Sequence, residues 1–190
     1  ATTESVGMYD SRQQMEMVRA LKPEAISMGL RELAPSEDDK AAFAEFMQWL
    51  ARERIAAQII VYDTHDAERV RRWAREGVFD ASATSVLFVV GKYVPQTTGT
   101  PQDLLPLYQT CADLFRDWML CAFGPRETAC VATAALLGGH CRVGFENNLH
   151  LPDGSGASDN AAIVRATASA LTGLGLAVMG PRELRGLWRI

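Results

Sequence analysis

Strand-like apolar runs alternate with helical segments about six times along the chain, and this alternation limits the folds open to it more than any other feature. Residues 25–30, 57–62, 85–90, 118–123 and 141–145 are short and nearly continuous in apolar side chains, and Thr2, Thr3 and Glu4 read as the tip of one more strand. Strands without polar alternation need cover on both faces, which points to a parallel sheet clothed by helices. The intervening segments have helical periodicity. Met15, Val18 and Leu21 line one side of 11–21 before Pro23 stops it, and Phe43, Phe46, Met47 and Leu50 fall at i, i+3, i+4 and i+7. Ser36 and Thr100 read as N-caps, Pro101 as a first helical residue and Gly77 as the stop of a helix over 67–76. Further helices are predicted over 128–137, 160–171 and 182–188, with 92–99 left as a loop. Two α/β architectures fit this pattern: an open doubly wound sheet, or most of a (β/α)8 barrel. No G-x-G-x-x-G follows a strand, which removes the main dinucleotide fingerprint.

The chain has 190 residues, 48% of them hydrophobic, enough for one core and a single domain over 1–190. A net charge of -4 and no basic stripe argue against a nucleic-acid partner. Arg69, Arg71, Arg72 and Arg75 are interleaved with Glu68 and Glu76, as on a solvated helix face. Cys111, Cys121, Cys130 and Cys141 have apolar neighbours and no C-x-x-C spacing, so buried free thiols and a cytoplasmic location are expected. There is no signal-peptide pattern and no apolar run long enough to span a bilayer, so no membrane partner is expected. The opening Ala1-Thr2-Thr3 lacks an initiator Met and looks like a strand already under way.

Chemistry concentrates where strands end. Gly138-Gly139-His140-Cys141-Arg142-Val143-Gly144-Phe145-Glu146-Asn147-Asn148 reads as a strand over 141–145 that delivers polar groups to one end of the sheet. In such sheets the carboxyl ends of strands carry the site. Arg142 and Glu146 share strand parity and would lean to one face, either as functional groups or as a structural ion pair.

That stretch, followed by Gly154 and Asp159-Asn160-Ala161, resembles the C-terminal signature of the β-keto acid cleavage enzymes. The likeness extends in order through Lys22-Pro23-Glu24-Ala25-Ile26-Ser27, Leu87-Phe88-Val89-Val90-Gly91, Thr100-Pro101-Gln102-Asp103-Leu104-Leu105 and Trp118-Met119-Leu120-Cys121-Ala122-Phe123-Gly124. The resemblance implies a (β/α)8 barrel, a fold of about 250 residues, of which this chain would hold strands three to eight. It implies condensation of a β-keto acid with acetyl-CoA, giving acetoacetate and an acyl-CoA, and a homo-oligomer. It also implies one zinc held by a His-x-His pair and a glutamate. Glu146 matches the glutamate. No His-x-His occurs, and His65, His140 and His150 lie far apart and read as structural.

By the same resemblance Arg142 is the catalytic cation. The family's Glu-Asp-Asn reads Glu146-Asn147-Asn148 here, and an amide can orient Arg142 but accepts no proton at pH 7, so Glu32 or Glu4 is a substitute base. Thr2, Thr3 and Ser27 would orient substrate. Ile60 stands where amino-keto-acid relatives present a carboxylate, which favours a neutral or anionic substrate side chain. Arg31 could clamp a second carboxylate, or pair with Glu32 or Asp63. Gly91, Lys92, Gly124 and Arg126 would meet coenzyme A. Two alternatives remain: a non-catalytic barrel fragment, and a metal-dependent aldolase or lyase barrel that uses no CoA.

Overall fold

The computed structural model describes residues 1–3, 7–93 and 95–190; Glu4 lies outside them. In chain order, Thr2–Thr3 (β1) leads to Ser11–Leu21 (α1), Ala25–Gly29 (β2), Leu30–Leu33 (α2), Lys40–Glu53 (α3), Ala56–Val61 (β3) and Thr64–Arg75 (α4). Then come Thr84–Lys92 (β4), Thr97–Thr98 (β5), Pro101–Cys111 (α5), Trp118–Ala122 (β6), Glu127–Leu136 (α6), His140–Cys141 (β7), Asn160–Gly173 (α7) and Pro181–Trp188 (α8).

Several helices begin where side chains can satisfy their first amides. Asp10 accepts from Gln13 N at 2.8 Å and Gln13 returns the bond, a capping box on α1. Thr100 and Asp103 do the same for α5. Helix α4 starts at Thr64, three residues before the expected 67, because Asp63 accepts from Asp66 N at 2.9 Å. Asp63, a polar strand-tip residue in sequence terms, is thus a cap.

The sheet runs β1-β2-β3-β4-β6-β7 with every pair parallel, while β5 pairs antiparallel with the end of β4. The order never reverses. A doubly wound sheet must reverse at its switch point. Right-handed crossovers that keep stepping one way place all their helices on one face. The fold is therefore α/β, a partial (β/α)8 barrel whose sheet is not closed. Its curvature follows from one cavity of about 150 Å³ that both Ser27 of β2 and Arg142 beyond β7 line. Four strand spacings separate β2 from β7, about 19 Å on a flat sheet, so the sheet must curl to bring them together.

Successive strand residues alternate between the two faces. Met28, Ile59, Val86, Phe88 and Leu120 point to the helices and meet Val18, Phe43, Phe46, Trp73, Leu104 and Cys130 in the main core. Phe43 and Trp73 lie 5.7 Å apart between ring centroids. Ile60, Leu87, Val89, Met119 and Cys121 form a smaller apolar cluster on the concave face. Leu184 and Trp188 of α8 pack over it, and Trp188 Nε1 donates to Asp117 Oδ2 at 3.0 Å.

Two expectations are corrected here. The 92–99 loop doubles back as β5, and Gly91 makes this possible: its φ is +76°, and a Cβ there would lie 2.6 Å from Gly99 N. The strand expected over 141–145 is only His140–Cys141, extended by one bond from Arg142 N to Leu120 O at 3.0 Å. Beyond it the amides of Gly144 and Phe145 bond to side chains of Glu127 and Asn160, not to a neighbouring strand. No described helix is long and apolar enough to cross a membrane.

Candidate active site

Where β7 ends, the chain turns sharply. Asn147 N and Asn148 N donate to Gly144 O at 2.9 and 3.1 Å. Gly144 has φ +145°, and a Cβ there would lie 2.6 Å from Asn160 Oδ1, so glycine is required at the corner. The turn sets Arg142 and Glu146 in a direct i,i+4 ion pair, with side chains 28% and 50% exposed. They meet across a turn and not along one strand face. Arg142 also borders the concave-face cavity with Ser27, Gln58 and Trp188. Gln58 Nε2 donates to Ser85 Oγ at 3.2 Å, giving this cavity a polar wall that sequence reading passed over.

Asn147 makes no hydrogen bond to Arg142 among the described residues. Its buried amide donates to Cys121 Sγ at 3.8 Å, and its carbonyl accepts from Gly124 N at 3.0 Å. Burial pushes the Cys121 thiol up to about 12, with Arg142 opposing and Glu146 and Glu127 adding to the rise. Cys121 is thus a packed thiol at neutral pH. Glu146 is the group that holds Arg142.

Glu127, at the start of α6, was also missed. It is fully buried and accepts from Gly144 N at 3.1 Å and from Asn148 Nδ2 at 3.2 Å. Burial raises its pKa, and those two donors counteract. In sequence it is indistinguishable from an exposed acid that complements a helix dipole.

The remaining tips divide between the two faces. Thr2 is in register with Ser27 and Gln58, and is exposed. Thr3 is in register with Met28 of the helix-side core and buried there, so it faces away from the cavity. Ile60 is buried in the concave apolar cluster beneath α8. Glu32 is half-buried on α2, and a Cβ on Gly29 would meet its Cγ and the Tyr62 ring at 3.6 Å each. Arg31 is engaged by protein carboxylates. Its Nε donates to Asp66 Oδ2 at 3.0 Å, a second nitrogen donates to Asp63 Oδ2 at 2.6 Å, and its guanidinium lies 4.8 Å from the Tyr62 ring centroid. The ion pair with Asp63 is present, and Asp66 adds a second.

Beside this turn, a groove of about 150 Å³ is lined by Lys92, Tyr93, Thr98, Phe123, Gly124 and Phe145, among others. Tyr93 stands edge-on to Phe123 at 4.6 Å. Gly124, like Gly91, is held to glycine by the protein itself, since a Cβ there would lie 2.9 Å from Thr98 Oγ1. Arg126 is exposed and stands outside the groove lining. A larger cavity, about 340 Å³, opens at the amino ends of β3 and β4. It shares Ala56, Ala57 and Trp188 with the concave-face cavity, which also reaches the amino ends of β2 and β3; what sets the concave-face cavity apart is Arg142, which enters it from beyond β7.

Zinc does not fit the described residues around Glu146. A catalytic zinc takes three protein ligands, and no His, Cys, Asp or Glu pair joins Glu146 in a metal-sized group among the described residues. Asp63, His65 and Asp66 do form such a group at the end of β3, but the Arg31 cation already binds both of its carboxylates.

Six parallel strands in one-way order, with Arg142, Glu146 and the amides of Asn147 and Asn148 gathered beyond the last, place this chain in the class of partial (β/α)8 barrels with polar groups at a strand end. The β-keto acid cleavage enzyme family model matches residues 1–190, and the chain belongs to that family. It is 30% identical over 133 residues to the 3-dehydrocarnitine:acetyl-CoA trimethylamine transferase of Rhizobium meliloti (strain 1021), covering 69% of this chain and 42% of that protein. It is 26% identical over 140 residues to the 3-keto-5-aminohexanoate cleavage enzyme of Fusobacterium nucleatum subsp. nucleatum, covering 74% of this chain and 50% of that protein. The matches thus span half or less of each relative's length.

Proposed function

We propose that this chain carries one side of the site of an acyl-CoA-forming β-keto acid cleavage enzyme. The reaction exchanges two acyl groups: R–CO–CH2–COO⁻ and CH3–CO–SCoA become R–CO–SCoA and CH3–CO–CH2–COO⁻. One C–C bond breaks and one forms, one thioester breaks and one forms, and no redox partner is needed. The observation that carries this reading is the Arg142–Glu146 pair, placed just beyond β7 and opening onto a cavity shared with Ser27 and Gln58. Family membership and the acetyl-CoA-dependent relative support it.

Arg142 supplies the positive charge that a keto-acid carboxylate, and the enolate developing from it, require. Glu146 aims that guanidinium. Ser27 and Gln58 offer neutral hydrogen bonds to the keto oxygen or the substrate side chain. Of the substitute bases Glu32 and Glu4, Glu32 lies within the described residues and is taken as the proton acceptor, since Asn147 is an amide turned to Cys121 and Glu146 is engaged by Arg142. The groove beside Lys92 and Tyr93 takes the coenzyme. Zinc, implied by the family, has Glu146 as its one matching donor here, and no step above depends on it.

The test uses the complete protein that contains this chain. Acyl-CoA formation is assayed with acetyl-CoA across neutral, anionic and cationic β-keto acids, for the parent and for Arg142→Gln. Turnover in the parent with a loss of at least about 100-fold in the variant, on the scale of losing one charge-stabilising group, is expected. Unchanged turnover in Arg142→Gln refutes the assignment, and keto-acid cleavage that needs no CoA favours an aldolase-type barrel.

A further inference from the structure

We propose that Glu127 is the positioning residue of the 144–148 turn, its two carboxylate oxygens holding the turn so that Glu146 aims Arg142 at the concave-face cavity. The functional consequence rests on the reaction proposed above; the structural claim does not.

Glu127 is an unusual group to keep. Its side chain has no exposure, and no cation pairs with it among the described residues. An apolar residue would fill this place without burying a charge, which costs several kcal/mol unless it is fully hydrogen-bonded. Both of its oxygens are in use. Oε1 accepts from the Gly144 amide, the corner of the turn, and Oε2 accepts from Asn148 Nδ2, its far end. The amino end of α6, where Glu127 is the first residue, adds positive potential.

The chemistry of the two partners requires an acceptor at both positions. Asn148 cannot rotate its amide to help, because its Nδ2 also donates to His150 O at 2.7 Å and its Oδ1 accepts from His150 N at 2.9 Å. A glutamine at 127 would therefore set a donor against a donor at one end. A second contact makes the grip directional. Gly124 N, three residues before Glu127, donates to Asn147 O at 3.0 Å. The β6–α6 connection thus holds the turn at Gly144, Asn147 and Asn148, and Phe145 and Glu146 between them are left exposed. Helix α7 contributes the remaining hold, through Asn160 Oδ1 on Phe145 N at 2.9 Å.

The experiment compares the complete protein with its Glu127→Gln variant by residue-resolved amide hydrogen exchange, with turnover read alongside. The Gly144 amide should exchange at least about tenfold faster in the variant, while amides of β3 and β4 keep their rates. On the acyl-transfer assay kcat should fall by about 10–100-fold, the range for an outer residue that orients a site group, with KM changed less than about threefold. Glu127→Asp keeps the charge but withdraws it by one methylene, so it should fall between the two. If Glu127→Gln does not fold, the same readings on Glu127→Asp decide. Unaltered exchange at Gly144 overturns the proposal, as does faster exchange spread evenly over α6 and the core, which would mark a merely structural role. If the parent makes no acyl-CoA, the proposed reaction fails, and the exchange rates still decide whether Glu127 positions the turn.

Discussion

Arg31 is the residue for which substrate binding and structure give opposite predictions, so Arg31→Met is the most informative single change. The methionine keeps an unbranched stem against the Tyr62 ring and removes the charge. What it leaves behind is Asp66, whose side chain is 3% exposed and would retain one hydrogen bond, from Tyr62 N at 3.1 Å. Removing one partner of a fully buried pair costs about 3–5 kcal/mol. Arg31 is itself 43% exposed, so water can reach the vacated position, and the contact with half-exposed Asp63 is worth at most about 1 kcal/mol. The net loss should be about 2–3 kcal/mol, the lower part of the buried-pair range. Urea unfolding of the complete protein measures it. A cycle with Asp66→Asn should show the pair coupled, the double variant losing less than the sum of the singles. On this reasoning KM for the keto acid stays within about threefold. If stability falls by less than about 0.5 kcal/mol, the level of an ordinary surface change, while KM rises more than tenfold, Arg31 is a substrate clamp and the reasoning is wrong.

Gly91→Ala should lower stability by about 2 kcal/mol or more, since it strains a residue at φ +76° and drives a methyl to 2.6 Å from Gly99 N; a melting temperature unchanged from the parent would show that the β4–β5 arm is not held as described. For Asp63, burial would raise the carboxyl pKa, but the Asp66 amide and Arg31 together hold it below its usual value. A depressed folded pKa gives stability that is full above the unfolded value, near pH 4, and is lost as pH falls through the folded one. Asp63→Asn should therefore flatten the stability profile below about pH 4, and identical slopes in parent and variant would refute the assignment.

The elements that sequence reasoning located were those with a strong local signal. The stripe Phe43, Phe46, Met47, Leu50 is buried on α3, and the Thr100–Pro101 start of α5 is where its capping chemistry places it. The strand centres at 59–61 and 86–90 are buried as their composition requires. What was not legible depended on partners distant in sequence. β7 stops at Cys141 because side chains from 127 and 160 take the amides that a strand would have used. Asn147 turns to Cys121, 26 residues away, and nothing in Glu146-Asn147-Asn148 announces that direction. Arg142 and Glu146 were recognised as a pair, yet strand parity placed them on one face, whereas a glycine corner brings them together.

The apolar centre of the concave face determines where polar chemistry can occur. Ile60, Leu87 and Met119 lie side by side in register, and α8 closes over them with Leu184 and Trp188. A polar substrate gains nothing there, and a substrate ammonium would lose its hydration without finding a carboxylate. On the proposed reaction, Ile60 would act by what it does not offer. Polar groups remain at the border of that patch: Ser27 and Gln58 on one side, with the guanidinium of Arg142 reaching the same cavity from the other. On the proposed reaction, a keto acid bound between them would place its carboxylate toward Arg142 and its substituent toward the neutral hydroxyl and amide. On that proposal, β-keto acids with neutral hydrogen-bonding substituents should turn over better than cationic ones, because the positive charge that Arg142 brings to the cavity repels a substrate ammonium.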